Sequence, residues 1–196
     1  MTVIKSKTFS LSNKINNYEK IFNIIIEQIP RSIFTILDAD FFNKIIKDKI
    51  IEVFVIKKKL NIISIISVIK HKKYEILKKK ILFYLLIRPH KLLINFFFIC
   101  ATFDRSSNNI KLGKNKNYLH LLHLVIFKDC FKNISLKKKD EIFNFFFTKI
   151  VKKYDARYFY LCYEKDNLRA NNFYKRNKFK FYSKSKKTIY VKKEFK

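Results

Sequence analysis

The sequence predicts an α/β fold of the mixed, α+β kind, in which helices flank a central sheet. Two β-branched runs, IIEVFVI at 50–56 and LNIISIISVI at 60–69, are joined by lysines and predict a hairpin. Segments with apolar residues three and four positions apart lie before and after this hairpin and predict amphipathic helices. The length of 196 residues and an apolar content of 48% predict one domain over 1–196 with a substantial core.

Two helices are predicted before the hairpin. Residues 18–28 carry apolar side chains at helical spacing and stop ahead of Pro30. A second helix is indicated by apolar residues that recur every four positions: Ile33, Leu37, Phe41 and Ile45.

After the hairpin, residues 75–100 predict a helix in two pieces, because a proline at position 89 interrupts helical hydrogen bonding. Residues 101–117 are polar, contain the only glycine, Gly113, and predict a loop. This loop separates the two halves of the predicted fold.

The second half predicts a strand at 118–127, a long helix, a strand at 158–163, a short helix and two closing strands at 178–182 and 188–195. The strand at 158–163 is aromatic and apolar on both faces, as expected of a central buried strand. The long helix is indicated by its apolar positions: Ile142, Phe143, Phe146, Phe147, Ile150 and Val151.

The chain is strongly basic, with 44 Lys and Arg residues against 15 acidic ones and a net charge of +29. Such a charge attracts nucleic acid, acidic lipid and nucleotide phosphates alike. An AT-rich coding sequence would also enrich the chain in Lys, Ile, Asn and Phe and deplete it of glycine. Both explanations of the charge stay open at this stage.

The cysteines, Cys100, Cys130 and Cys162, are odd in number and widely spaced, which predicts reduced thiols in a cytoplasmic protein. They exclude a disulfide framework, and the four histidines complete no metal-ligand pattern with them. The first residues lack the apolar region of a signal peptide. The longest apolar stretch, 81–103, is interrupted by the polar residues and proline at 88–91, so no transmembrane segment is predicted. No feature of the sequence indicates an oligomeric state.

Residues 158–179 (YFYLCYEKDNLRANNFYKRNKF) carry the most specific pattern of the chain. The order N-x-x-A-x-x-F-Y-x-x-x-x-F falls on Asn167, Ala170, Phe173, Tyr174 and Phe179. It resembles the last motif of the GNAT superfamily of N-acetyltransferases, which usually reads N-x-x-A-x-x-[FL]-Y-E-K-x-G-F. Lysines replace the usual Glu at 175 and the usual Gly at 178. On spacing alone, another α/β protein could show this strand–helix–strand with the tyrosine as a core aromatic.

A second resemblance lies near the N-terminus. The outline P-x-S-[FI]-x-x-x-L-G-x-x-F-[LF], found in GNAT proteins of polysaccharide and amino-sugar pathways, is matched at Pro30, Ser32, Ile33, Leu37, Phe41 and Phe42. Asp38 stands in place of the usual Gly.

The resemblance implies a mixed central sheet with splayed strands over about 18–195, with the motifs in the half from 118 to 195. It implies transfer of acetyl from acetyl-CoA to the primary amine of a small molecule, with an amino sugar as one acceptor class. Tyr174 would protonate the leaving thiolate, and Asn167 would contact the cofactor arm or cap the short helix. The backbone N–H groups of Val125 and Ile126 would hold the thioester carbonyl.

Three residues are candidates for the base that deprotonates the amine. His120 and His123 lie on the strand that would face the acetyl group, and strand alternation predicts that they point to opposite faces. Glu52, on the hairpin, is the third candidate. Each of the three could instead have a purely structural role in the core or at the edge of the sheet.

The resemblance also implies a glycine-rich loop before the long helix, which would bind the pyrophosphate at the helix N-terminus. Counting along the chain places this loop at 136–141, where glycine is absent and Lys137, Lys138 and Lys139 would supply charge. A lysine run is also typical of a solvated helix face. Two further functions therefore stay open: a scaffold that has lost the reaction, and a basic RNA-associated protein, although no RNP, KH or dsRBD signature is present.

Overall fold

The computed structural model describes residues 9–94, apart from positions 14, 16, 31, 32 and 60, and residues 117–195. The predicted loop with Gly113, the end of the predicted helix at 75–100 and Cys100 lie outside this part of the chain.

The described residues form seven strands, six α-helices and two short 3-10 helices. In chain order they are β1 (Phe9–Ser12), α1 (Tyr18–Gln28), a 3-10 helix (Ile33–Ile36), α2 (Ala39–Lys47), β2 (Ile51–Lys58), β3 (Asn61–Lys70), α3 (His71–Leu86), α4 (Pro89–Ile94), β4 (Tyr118–Ile126), a second 3-10 helix (Lys128–Phe131), α5 (Leu136–Lys153), β5 (Tyr158–Glu164), α6 (Leu168–Arg176), β6 (Lys180–Lys184) and β7 (Thr188–Glu194). This order confirms the mixed α/β fold that the sequence predicts.

The structure divides the predicted second helix in two. Asp38 has an extended backbone, and its carboxylate accepts a hydrogen bond from the Phe41 N–H at 2.8 Å. A residue in this conformation caps a helix and cannot lie inside one. The segment therefore runs as a 3-10 helix followed by α2.

The seven strands form one sheet in the order β1-β2-β3-β4-β5-β7-β6. All neighbouring pairs are antiparallel except β4 and β5, which are parallel. The parallel pair lies at the centre of the sheet, where both strands are shielded by helices.

Helices cover both faces of the sheet. On one face, here called the N-terminal face, α1, α2 and α3 pack on strand residues such as Ile65 and Ile69. On the other, here called the α5 face, α5 and α6 bury an aromatic core around Phe147 and Phe159, both fully buried. These two layers fix the strands between them, and burial of each large aromatic contributes about 2 kcal/mol.

The turn after α6 has a lysine where the family motif has glycine. Lys178 has a φ of 62°, and its N–H bonds to Lys175 O while Phe179 N–H bonds to Tyr174 O, both at 3.0 Å. These bonds form a Schellman motif, whose left-handed position glycine usually occupies. The turn therefore places a lysine in a left-handed conformation, which carries a steric cost.

Candidate functional site

The central parallel strands separate part of the way along their length. Tyr118–His120 pair with Tyr158–Tyr160, and His120 with Tyr160 is the last pair. Beyond it β4 runs on to Ile126 and β5 to Glu164 without pairing to each other. Unpaired backbone N–H and C=O groups need partners, so the cleft between residues 121–126 and 161–164 is the candidate site.

The backbone of β4 presents specific donors to this cleft. Phe127 N–H donates to Ile63 O at 3.1 Å, and Val125 O accepts from Ser64 Oγ at 2.7 Å, so both residues face β3. Amide direction alternates along a strand. The cleft-facing N–H groups therefore belong to Leu124 and Ile126, and the prediction that Val125 would donate there is wrong.

A β-bulge lies in β4 at the level of the cleft. Val68 pairs with Leu121 and Ser67 with His123, so that Leu122 has no partner on β3. An extra residue reverses the alternation of side chains. The bulge therefore changes which faces the two strand histidines occupy.

Both histidines point to the N-terminal face. His120 packs on Tyr74 of α3 with ring centroids 5.2 Å apart, and His123 packs on Phe34 at 4.8 Å. The predicted opposite orientation of His120 and His123 is wrong, because strict alternation does not hold across a bulge.

His120 lies where the two strands separate. Its side chain is 2% exposed, and its Nε2 is 2.9 Å from Nδ1 of His71, the first residue of α3. Burial, followed by the nearby His71, lowers the pKa of His120 to about 3. His120 is therefore neutral at physiological pH and carries a lone pair.

His123 is held more tightly. Its Nδ1 lies 2.6 Å from Ser67 Oγ, and the residue is 5% exposed. Burial lowers the pKa of His123 to about 3. Its bond to β3 and its contact with Phe34 are those of a core histidine, whereas His120 lies at the separation of the strands.

Tyr174 lies beside the unpaired half of β5. Its ring is 5.5 Å from that of Tyr163, at an interplanar angle of 25°, and it also packs on Phe179 at 5.3 Å. The residue is 8% exposed, and burial, with smaller effects of Cys162 and Tyr163, raises the pKa of Tyr174 above its usual value of 10. The hydroxyl is therefore protonated across the physiological range and able to donate.

Asn167 caps α6. Its Oδ1 accepts a hydrogen bond from the Ala170 N–H at 2.9 Å, and the residue is exposed. The predicted capping role is observed, and a contact with the cofactor arm stays a prediction.

The connection between β4 and α5 covers residues 127–135, not the predicted 136–141. Ser135 caps α5, its Oγ lying 3.4 Å from the Lys138 N, and the helix begins at Leu136. The predicted phosphate loop at 136–141 is wrong because these residues are helical. Lys137, Lys138 and Lys139 instead lie on the first turn of α5. The first N–H groups of a helix lack intrahelical carbonyl partners, whereas the Lys139 N–H already donates to Ser135 O at 3.0 Å.

Glu52 lies away from the cleft. Its carboxylate accepts a hydrogen bond, 3.0 Å long, from Nζ of Lys153. Lys153 is the last residue of α5. The opposite end of α5 begins at Leu136, about 25 Å away at 1.5 Å per residue. The structure therefore places Tyr174 in the same core as the side chains of Leu124 and Ile126, with α6 tied to α5 through Arg176 Nε and Asp140 Oδ2 at 2.9 Å. Glu52 lies at the far end of α5.

Sequence reasoning missed Leu124, His71 and Tyr160. Leu124 requires knowledge of the ladder register, and His71 meets His120 only through the pairing of β3 with β4. Tyr160 could have been suspected from its place in the strand before the motif. No spacing along the chain identifies the other two.

None of the helices in the described ranges is long and apolar enough to cross a membrane.

No family model matches the chain, and no curated protein is similar to it in sequence. Solved structures do match. N-acetyltransferase PseH of Campylobacter jejuni is 13% identical, with a TM-score of 0.52, over 95% of this chain and 98% of that one. A GNAT-family acetyltransferase of Listeria monocytogenes is 14% identical, with a TM-score of 0.57, over 95% of both chains. The spermidine N-acetyltransferase of Vibrio cholerae, solved with CoA and spermine, is 12% identical, with a TM-score of 0.55, over 96% of both chains.

The architecture is thus that of a mixed α/β protein whose central parallel strands separate part of the way along their length. At these identities the likeness establishes the fold alone: the chain has the GNAT fold, as the 158–179 motif predicts.

Proposed function

We propose that this protein is an acetyl-CoA-dependent N-acetyltransferase that acts on the primary amine of a small molecule. The observation that carries the proposal is the cleft between β4 and β5. Its β4 strand has N–H groups at Leu124 and Ile126 that do not pair with β3, and the buried Tyr174 packs on Tyr163 of β5. The connection that follows β4 leads into the N-terminus of α5. An extended, amide-containing cofactor arm fits such a cleft because it can complete the unpaired strand edge.

The residues present fit acetyl-CoA. Its phosphates would meet the first turn of α5, where unpaired N–H groups, the helix dipole and three lysines favour an anion. The cap from Ser135 is long, at 3.4 Å to the Lys138 N, so this amide is only weakly held. These donors would supply part of what the missing glycines provide in the family pattern.

When bound, acetyl-CoA would supply a thioester that is open to attack by an amine. The N–H groups of Leu124 and Ile126 would stabilise the charge that develops on the thioester oxygen. His120 would remove the proton of the acceptor amine, and Tyr174 would donate a proton to the leaving sulfur. His123 would hold β4 against β3 through Ser67.

Within the proposed function, we propose an amino sugar as the acceptor. An amino sugar is supported by the outline around Pro30 and Phe42, which resembles that of GNAT proteins of amino-sugar pathways. Other structural neighbours are the spermidine N-acetyltransferase and an aminoglycoside N(6′)-acetyltransferase of Legionella pneumophila. The excess of lysine disfavours a polycation and favours an amine that carries phosphate, such as a sugar nucleotide. We also propose a cytoplasmic location, which follows from the prediction that Cys130 and Cys162 are reduced thiols.

The alternative is a scaffold that keeps the fold without the reaction, and the burial of Tyr174 with the glycine-free connection at 127–135 favours it. An acetyl-transfer assay separates the two. The purified protein would be incubated with acetyl-CoA and a panel of amines (an amino sugar nucleotide, an aminoglycoside and spermidine), with release of free CoA thiol as readout. We expect amine-dependent thiol release that falls about 100-fold or more in Tyr174→Phe. Equal release with and without every amine would support the scaffold.

A further inference from the structure

Two histidines from distant parts of the chain meet at the end of the parallel ladder. Nδ1 of His71 lies 2.9 Å from Nε2 of His120, and the two ring planes differ by 14°. A separation this short and planes this close to parallel are those of a hydrogen bond between imidazoles, in which one ring donates and the other accepts. The pair therefore links two ring systems through one hydrogen.

The two rings differ in their access to solvent. His120 is 2% exposed, whereas His71 is only half-buried. The Tyr74 ring packs on His120 at 5.2 Å, and the Tyr160 ring meets it edge-on, also at 5.2 Å. A proton taken up by His120 has no direct contact with bulk water and needs a carrier.

A second observation points to a ligand near His120. The hydroxyl of Tyr160 has no hydrogen-bond partner in the described part of the chain. Because the residue is only 1% exposed, bulk water does not replace that partner. A buried hydroxyl without a partner costs about 1–3 kcal/mol. Tyr160 and His120 form the last pair of the ladder, so a polar group bound there could satisfy this hydroxyl.

We propose that His71 relays the proton of the acceptor amine from His120 to solvent. This inference rests on the proposed transferase function. In the resting pair, His120 donates its Nε2–H to Nδ1 of His71, and His71 carries its other hydrogen on Nε2.

The transfer balances over the pair. The acceptor ammonium gives a proton to Nδ1 of His120, the Nε2 hydrogen of His120 moves to Nδ1 of His71, and the Nε2 hydrogen of His71 leaves to water. Neither ring keeps a net charge, and the freed amine attacks the thioester. Between turnovers Nε2 of His71 takes a proton from solvent, the Nδ1 hydrogen of His71 returns to Nε2 of His120, and the Nδ1 hydrogen of His120 leaves to water that enters the emptied cleft, which restores the resting pair.

The surroundings favour passage over storage of the proton. Burial lowers the pKa of His71, which also stands at the positive end of α3, and burial lowers that of His120 further. Among described residues, the titratable groups that face the pair are Tyr74 and Glu75 of α3, Tyr118 of β4 and Tyr160 of β5. Glu75 is the one group among these that raises the pKa of His71, and it lies at the solvent end of the route.

The relay makes a prediction about the resting protein that is independent of turnover. A two-bond ¹H–¹⁵N correlation spectrum of protein labelled in the histidine rings reports which nitrogen carries hydrogen. We expect the Nε2–H tautomer for both His71 and His120. A His120 that carries hydrogen on Nδ1 only would overturn the relay, since it could neither accept from the amine nor donate to His71.

The kinetic test compares His71→Gln with His90→Gln, a matched change at an exposed histidine of α4. With the best amine of the panel, we expect His71→Gln to lower kcat about tenfold or more, with acetyl-CoA affinity unchanged, and added imidazole buffer at constant pH to restore part of the rate. His90→Gln should match the wild type in both respects. A His71→Gln protein with wild-type kcat and no buffer dependence overturns the relay alone. Absence of acetyl-CoA binding by the wild type overturns the transferase function and the relay with it.

Discussion

His120 and Tyr160 are the last residues through which β4 and β5 pair, and every functional feature of the cleft lies at or beyond them. This pair thus separates the paired segments of β4 and β5, 118–120 and 158–160, from the segments that do not pair with each other. The first prediction concerns the buried imidazole at this division and its counterpart at His123.

Stability should fall steeply as the pH drops below 6.5. The pKa values of His120 and His123 are lowered to about 3 in the folded protein. The unfolded chain therefore binds more protons than the folded one between about pH 6.5 and pH 3. Their contribution is complete above pH 6.5 and is lost as pH falls, by about 2 kcal/mol per histidine at pH 5. Urea unfolding at pH 7.5 and pH 5 measures it. His123→Gln should lessen the pH dependence and the exposed His90→Gln should not; equal slopes for all three proteins would contradict the account.

Replacement of Lys178 by glycine should stabilise the protein by about 1 kcal/mol, because a lysine at a φ of 62° bears a steric cost that glycine lacks. Urea unfolding measures the change. The control is Lys175→Gly, three residues earlier in the last turn of α6, which should destabilise by about 1 kcal/mol. If both glycines destabilise alike, the turn does not depend on the left-handed residue.

The lysines at the start of α5 should contribute specifically to acetyl-CoA affinity. Lys137, Lys138 and Lys139, changed together to Ala, should weaken binding about tenfold or more and reduce its dependence on salt. The matched control is the run of three lysines at 78–80 on α3, whose ion pairs with Glu75 and Asp48 are exposed and contribute little to stability. Equal loss in both triple variants would mean that only the overall charge attracts the ligand.

The sequence predicts the strands and helices well where they depend on local chemistry. The bounds of α1 follow from apolar spacing and from the proline at position 30, and the capping role of Asn167 follows from its place before α6. The site is less predictable because it depends on register. The bulge at Leu122 turns His123 onto the same face as His120, and no residue type marks it in advance.

The phosphate site shows the same limit. Without glycines, counting along the chain places the loop inside α5, since only the cap by Ser135 reveals that the helix starts at Leu136. The partnership of His71 with His120 is equally hidden, because it arises from the register between β3 and β4, which lie far apart in the chain, and not from a motif.

The central claim is that the cleft between β4 and β5 binds acetyl-CoA. Isothermal titration calorimetry at moderate salt tests it most directly, with acetyl-CoA, CoA without the acetyl group, and ATP as a polyanion of similar charge. We expect micromolar binding of acetyl-CoA and CoA and at least tenfold weaker binding of ATP, because only the first two carry the arm that β4 can pair with. Equal affinity for all three ligands, or no binding of acetyl-CoA, would contradict the account and leave the scaffold as the better description.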